Sequence, residues 1–121
     1  MFNMKCVYTA LRRVLKAFLY SCKGLFFVSK TEVAFRQELV LFVIGTLLCF
    51  FLPLSRFEKA VLFFSLFLIL LMELVNSAIE TVVDRISIKY NYLSGRAKDI
   101  GSSLVLMAFA NAIIIWILIL S

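Results

Sequence analysis

The sequence contains no histidine, and its three cysteines, Cys6, Cys22 and Cys49, are scattered without CxxC spacing. The absence of histidine excludes a Ser/His/Asp triad and a Cys/His nucleophile pair, and it argues against a zinc site. The thiols are interpreted as packing residues, because buried cysteines behave as small apolar side chains. Candidate functional residues are therefore sought among the charged and amide side chains.

Proline and glycine are also scarce, with one and four residues respectively, and no repeat or low-complexity segment is present. The chain lacks a Walker GxxxxGK[ST] loop and the glycine-rich loop of soluble kinases. Its 121 residues allow one domain, 1–121, without room for a separate soluble catalytic module. The apolar share is 64%, against about 45–50% in soluble domains. With a mean hydropathy of +1.05, the chain is predicted to be a small integral membrane protein.

Four helical segments are predicted. Residues 1–30 place apolar and basic side chains at helical spacing, which is typical of an amphipathic helix in the headgroup plane. Three further segments are long and apolar enough to span a bilayer, namely about 34–54, which Pro53 ends, about 59–83 and about 100–120. The predicted class is an all-α membrane protein. In the last span, small residues fall roughly on one stripe that allows close helix contact, namely Gly101, Ala108 and Ala112.

The distribution of basic residues predicts the orientation. Seven Lys and Arg residues precede or enter the first span, and four lie in the connection 84–99. The connection 54–59 holds two, and the C-terminus holds none. By the positive-inside rule, the N-terminus and the second connection are cytoplasmic.

The second span carries an acidic stripe. Glu73, Asn76, Glu80 and Asp84 fall within an arc of about 80° on a helix that rises about 16 Å along the stripe. Ionisable groups inside a membrane are costly and mark function by default. Either some of these acids are protonated, or a cation lies among them. The candidate cations are a divalent metal with hard oxygen ligands or the basic residues Arg36, Arg85, Arg96 and Lys98.

Structural interpretations of the same residues stay open. Glu80 and Asp84 could be solvated acids near the end of the span, and Glu73 could be a protonated carboxyl that hydrogen-bonds between helices. Asn76 could serve as an interhelical hydrogen-bonding residue. The functional alternative is phosphoryl transfer to a lipid headgroup, which needs a metal, a lysine and a carboxylate near the attacking hydroxyl. Basic residues of segment 1–30 would then attract a nucleotide.

Three motifs resemble the prokaryotic diacylglycerol kinase family. They are EVAFRQE at Glu32–Glu38, ELVNSAIETVVDRI at Glu73–Ile86 and LSGRAKDIGS at Leu93–Ser102. The resemblance implies a surface helix and three transmembrane helices, assembled as a homotrimer with active sites between subunits in the bacterial inner membrane. It also implies ATP as co-substrate, Mg²⁺ as cofactor, diacylglycerol as lipid substrate and no nucleic-acid partner.

The resemblance also implies roles for individual residues. Glu73 would be the catalytic base, Glu32 and Glu80 would hold magnesium on the nucleotide, Asn76 would support Glu73, and Asp84 would be more structural. The nucleotide side would include, besides the two metal ligands, Arg13, Tyr20, Lys89, Tyr90, Asn91, Lys98 and Asp99. The lipid substrate would be contacted by Arg13, Phe35, Arg36, Glu38, Glu73 and Ser102.

The identity of the lipid substrate is a separate expectation. Cys22 and Phe18 depart from residues common in the family, and both lie on the surface helix. The strings AFRQE and SGRAKDIGS are similar to the diacylglycerol kinase branch, and phosphorylation of diacylglycerol to phosphatidic acid is the expected reaction. Undecaprenol kinase of the same family is the alternative. A small proton-coupled transporter would also use a membrane glutamate, and a non-catalytic assembly protein would tolerate loss of these charges.

Overall fold

A computed structural model describes residues 3–86 and 88–121, and its regular elements in these ranges are four α-helices. They are α1 (Met4–Thr31), α2 (Val33–Phe51), α3 (Arg56–Ile86) and α4 (Tyr92–Leu120). The last three are long and apolar enough to cross a membrane. The predicted fold class, an amphipathic N-terminal helix followed by three transmembrane helices, is confirmed. Residues 1 and 2 of the predicted segment 1–30 and residue 87 of the predicted connection 84–99 lie outside the described residues.

Helix α1 forms a compact unit of its own, separate from the unit that begins at Glu32. None of its described side chains is buried. The ammonium group of Lys30 lies 4.3 Å from the ring centroid of Phe26, and that of Lys23 lies 5.8 Å from the ring of Tyr20. Basic groups resting on exposed aromatic rings suit the region where lipid headgroups meet the acyl chains.

A short connection joins α2 to α3. Helix α2 ends at Phe51, before the predicted limit of 54, because Leu52 precedes Pro53 and adopts extended backbone angles (φ −80°, ψ 144°). Helix α3 then starts with a capping box: the Ser55 hydroxyl accepts from the Glu58 amide at 3.1 Å, and the Glu58 carboxylate accepts from the Ser55 amide at 3.2 Å. The connection is therefore tight, and α2 and α3 pack side by side.

Helix α3 packs against both α2 and α4 and carries most of the buried residues. Leu66 and Ile69 of α3 form a core cluster with Ala108 and Ala112 of α4. The buried residues of α4 are Gly101, Ala108 and Ala112. The stripe of small residues is therefore the face of α4 that contacts the bundle, as predicted. Small side chains allow the two backbones to approach closely.

A polar link lies within this apolar region. The Trp116 indole N–H donates to the Ser65 hydroxyl at 3.1 Å, and that hydroxyl donates to the Leu62 carbonyl at 2.6 Å. Ser65 is fully buried. Both the indole N–H and the serine O–H have an acceptor, so this pair of hydrogen bonds fixes the register of α3 against α4 at low cost.

Helix α4 begins earlier than the predicted span. Its N-cap is Asn91, whose side chain accepts from the Leu93 amide at 2.9 Å. The helix therefore starts at Tyr92 and includes the charged string SGRAKD, whereas the predicted span began at residue 100. The described non-helical part of the connection is 88–91. Lys98 and Asp99 are thus presented on a helix, in rigid relation to the apolar part of α4.

Candidate active site

One cavity of about 460 Å³ lies among α2, α3 and α4, near the end that carries the connection 88–91. We call it the carboxylate cavity, because four of the residues that line it are glutamates. Its lining residues are Glu32, Ala34, Glu38, Glu73, Asn76, Glu80, Ser102, Val105, Leu106 and Phe109. Residues far apart in the sequence, on three helices, are brought together here.

Helix α2 contributes carboxyl groups from its start and from its second turn. Glu32 is the N-cap residue of α2, and its side chain makes no capping hydrogen bond. Its carboxylate is therefore available to the cavity that it lines. Glu38 is 9% exposed, and one of its oxygens, Oε2, has no hydrogen-bond partner among the described residues. A buried carboxylate oxygen without a partner is costly unless a proton, a cation or a ligand donor reaches it.

Helix α3 contributes Glu73, Asn76 and Glu80, which the helical period places on one face. Glu73 is 6% exposed and lies beside Glu38. Two acids side by side in an apolar setting repel when both are ionised. The cavity therefore favours protons or cations.

Asn76 connects two of these features. It is 8% exposed, and its amide nitrogen donates to Glu80 Oε1 at 3.4 Å. Its amide oxygen has no hydrogen-bond partner among the described residues. The side chain therefore orients one carboxylate through its amide nitrogen, and its amide oxygen is buried.

Helix α4 supplies the opposite wall. Ser102, Val105, Leu106 and Phe109 recur at the i, i+3, i+4, i+7 spacing of one helical face. Apart from Ser102, this wall is apolar, so the cavity is polar on one side and apolar on the other. Sequence reasoning missed the three apolar residues, although their spacing was a signal that could have identified them.

A second cavity of about 210 Å³ adjoins the connection between α3 and α4. The Lys98 ammonium forms an ion pair with the Asp84 carboxylate at 2.6 Å, and both side chains are about half exposed. Asp84, the last acid of the stripe, thus lines this cavity, whereas the glutamates of the stripe line the carboxylate cavity. The described residues that line it are Val83, Asp84, Ile88, Lys89, Tyr90, Asn91, Ser94, Gly95 and Lys98. Four residues expected on the nucleotide side are therefore found together: Lys89, Tyr90, Asn91 and Lys98.

The remaining candidate residues lie outside both cavities. Arg96 places its guanidinium over the ring of Tyr92, 4.5 Å from the centroid, and donates to the hydroxyl of the same tyrosine. Phe35 is buried, and Arg36 and Asp99 are exposed. Arg13 and Tyr20 are exposed residues of α1, in the separate unit. Of the expected lipid contacts, Glu38, Glu73 and Ser102 line the carboxylate cavity.

The donor set of the carboxylate cavity fits a hard cation. Among residues 3–86 and 88–121, no group of three or more His, Cys, Asp or Glu side chains is arranged as a complete metal site. Magnesium, however, is usually bound through one or two carboxylates, with phosphate oxygens and water as the other ligands. Glu32 and Glu80 line one cavity from two parts of the chain, and Glu38 and Asn76 are among the other residues that line it. The oxygen donors present therefore fit a magnesium ion that a nucleotide brings with it.

The family assignment follows from comparison with known proteins. Residues 19–120 match the family model described as prokaryotic diacylglycerol kinase. The diacylglycerol kinase of Escherichia coli (strain K12) is 43% identical over 112 residues, which cover 93% of this chain and 92% of that protein. The protein of the same name from Haemophilus influenzae is 43% identical over 108 residues (89% and 92%), and that from Pseudomonas aeruginosa is 40% identical over 112 residues (93% and 91%). The chain is therefore an enzyme of the prokaryotic diacylglycerol kinase family.

Proposed function

We propose that this protein transfers the γ-phosphoryl group of ATP to the free hydroxyl of diacylglycerol and so forms phosphatidic acid. The observation that carries the proposal is the carboxylate cavity, where a buried glutamate faces an apolar wall and carboxylates from a second helix. This combination can hold a lipid hydroxyl beside a proton acceptor. Membership of the family, and the names of its relatives, support the choice of kinase chemistry and of diacylglycerol.

Glu73 is the proposed catalytic base. Its carboxylate takes the proton of the lipid hydroxyl as that oxygen attacks the γ-phosphorus of ATP. The bond from the γ-phosphorus to its bridging oxygen breaks, and ADP leaves with the electron pair. The position of Glu73 supports this role, because the buried carboxylate lines the carboxylate cavity together with the apolar residues of α4. Glu38 lies beside Glu73 and, with Ser102, is proposed to contact the glycerol headgroup.

Glu32 and Glu80 are proposed to hold magnesium. When bound, the ion neutralises the phosphate oxygens of ATP and stabilises charge in the transition state. The two glutamates belong to different helices and line the same cavity, so both would be available to hold the ion there. Asn76 donates to Glu80 and orients that carboxylate.

The second cavity is proposed to receive the nucleotide. Lys98 would meet the phosphates, and its ion pair with Asp84 positions the ammonium group. Lys89, Tyr90 and Asn91 line the same cavity. Other proposed contacts to the nucleotide or the lipid, which rest on the resemblance, are Arg13, Tyr20, Phe35, Arg36 and Asp99.

The assembly and location are proposed on the same basis. The resemblance implies a homotrimer with active sites between subunits, in the bacterial inner membrane. The three apolar helices support a multi-pass membrane protein. The basic residues support a cytoplasmic N-terminus, since eleven Lys and Arg lie on that side and two on the other.

Topology is tested by reporter fusions. A reporter joined at Ser121 is expected to be periplasmic, because an odd number of spans separates it from the cytoplasmic N-terminus. A reporter inserted in 88–91 is expected to be cytoplasmic. Alkaline phosphatase and green fluorescent protein, which are active on opposite sides of the membrane, give the two readouts. A cytoplasmic C-terminus would contradict three spans with this orientation.

The reaction is tested with purified protein in detergent micelles, magnesium and γ-radiolabelled ATP. We expect label in phosphatidic acid when diacylglycerol is supplied, and much less label in the product when undecaprenol replaces it. Preferential labelling of undecaprenol would assign the chain to that substrate. Absence of transfer to either lipid, together with proton uptake by reconstituted vesicles, would favour a transporter.

A further inference from the structure

Gly101 of α4 lies directly against the amide of Asn76. A Cβ atom built at position 101 would be 2.5 Å from Asn76 Oδ1 and 3.4 Å from Ile79 Cδ1. The first distance is too short for any carbon–oxygen contact, whereas the second requires only a small adjustment. The absence of a side chain at position 101 is therefore what allows the amide oxygen of Asn76 to lie where it does.

The orientation of this amide matters for the cavity. With Oδ1 turned to Gly101, the nitrogen is turned to Glu80 and donates to Oε1 at 3.4 Å. The reversed amide would place an acceptor against the carboxylate acceptor of Glu80. Gly101, Asn76 and Glu80 thus form a continuous series of contacts from the backbone of α4 to a lining carboxylate.

Close helix packing alone does not account for glycine at this position. The other buried residues on the same face of α4 are Ala108 and Ala112, so that face accepts a methyl group elsewhere. Glycine is also less favourable than alanine inside a helix. At position 101 the group that a methyl would displace is the amide of a cavity residue, and the backbone of α3 is not among its nearest atoms.

We propose that Gly101 is a positioning residue, which acts through Asn76 to orient Glu80 for the nucleotide and its magnesium. The inference rests on the proposed function in that it assigns Glu80 to the Mg-ATP side of the reaction. It adds a residue of α4 to the determinants of that site, although glycine itself has no group that could touch a ligand.

The test is the variant Gly101→Ala in the full-length protein. We expect the apparent KM for Mg-ATP to rise roughly ten- to a hundredfold, the equivalent of one hydrogen bond to a charged group. The KM for lipid is expected to stay within about twofold, since the apolar wall of the cavity is unchanged. Thermal stability is expected to change little, because the gain in helix propensity with alanine offsets part of the cost of displacing the amide. A packing defect would lower stability and would not single out Mg-ATP.

Gly45→Ala is the matched control. A Cβ atom at Gly45 would overlap the side chain of Leu66, so this variant introduces a comparable steric conflict in another buried region of the bundle. Neither Gly45 nor Leu66 lines the carboxylate cavity. We expect Gly45→Ala to keep the wild-type dependence on Mg-ATP, whatever its effect on stability.

A double-mutant cycle tests whether the effect passes through the amide. Adding Gly101→Ala to Asn76→Ala is expected to change the Mg-ATP response no further, because the group that the methyl would displace is already absent. If the two losses multiply, Gly101 acts independently of Asn76 and the proposal is overturned. If Gly101→Ala fails to fold as a single variant, the proposal requires that the double variant with Asn76→Ala folds. Failure of both would show that the methyl meets α3 itself, and would also overturn the proposal.

A binding measurement separates this inference from the proposed reaction. Mg-ATP is expected to raise the unfolding temperature of the wild type, and Gly101→Ala is expected to lose most of that increase. A wild type that shows the increase but phosphorylates neither lipid would refute the proposed reaction and leave the inference standing. A Gly101→Ala protein with the wild-type increase and the wild-type KM for Mg-ATP would refute the inference alone. A wild type with no increase at saturating Mg-ATP would refute both.

Discussion

Replacing Glu73 with glutamine is expected to reduce phosphoryl transfer by about 10²–10⁴-fold, the usual loss when a general base is removed. Glutamine has the same shape but cannot accept the proton of the lipid hydroxyl. The protein should remain folded, because Glu73 is 6% exposed and an uncharged side chain is cheaper to bury in an apolar region. The measurement is the rate of phosphatidic acid formation at saturating Mg-ATP and lipid, with thermal unfolding of the same sample.

Glu58→Gln is the control for that experiment. Glu58 is an acid on the same helix, but it closes the capping box at the opposite end of α3. Its replacement is expected to lower the free energy of unfolding slightly and to leave the transfer rate near that of the wild type. A Glu73→Gln protein that keeps more than about half of its activity would contradict proton abstraction by Glu73, given the size of effect expected for a base.

The second large effect is expected for the two proposed magnesium ligands. Glu32→Ala and Glu80→Ala should each raise the concentration of Mg-ATP needed for half-maximal rate by roughly tenfold or more, as loss of a metal-binding group does. Both residues line the carboxylate cavity, one from the start of α2 and the other from α3. Removing either carboxylate should therefore weaken binding of the same magnesium ion.

The converse titration is the internal control for both variants. At saturating Mg-ATP, the dependence of rate on diacylglycerol should change much less than the dependence on nucleotide, since neither glutamate is assigned to the lipid. An unchanged Mg-ATP response in both variants would remove them from the metal site, even if the protein proved to be a kinase. If the Mg-ATP response changes in only one variant, the glutamate replaced in that variant is a ligand of the ion and the other glutamate is not.

The sequence was sufficient for the features that depend on one helix at a time. Hydropathy located the spans, and helical spacing placed Glu73, Asn76 and Glu80 on one face, where the structure has them lining one cavity. The stripe of small residues on α4 was also identified correctly as a packing face. These properties follow from the period of a single helix and the cost of burying polar groups.

Features that depend on how helices are rotated against each other could not be derived in this way. Nothing in the spacing indicated that Glu38 would lie beside Glu73, or that Phe109 would close the cavity from α4. The helix period alone suggests that Asp84 continues the acidic stripe of α3. In the structure its carboxylate instead forms an ion pair with Lys98 of α4. That pairing became possible only because the Asn91 cap starts α4 early and places Lys98 on the helix.

The hydrogen bond between the Trp116 indole and Ser65 has a practical consequence for these experiments. The chain contains one tryptophan, and its N–H joins α4 to a fully buried residue of α3. Indole emission depends on hydrogen bonding and on the polarity of the surroundings, so intrinsic fluorescence reports the separation of these two helices without any label. Trp116 lines neither the carboxylate cavity nor the cavity at the connection. Its emission can therefore show whether a catalytically impaired variant has kept its helix packing, in the same cuvette in which the rate is measured.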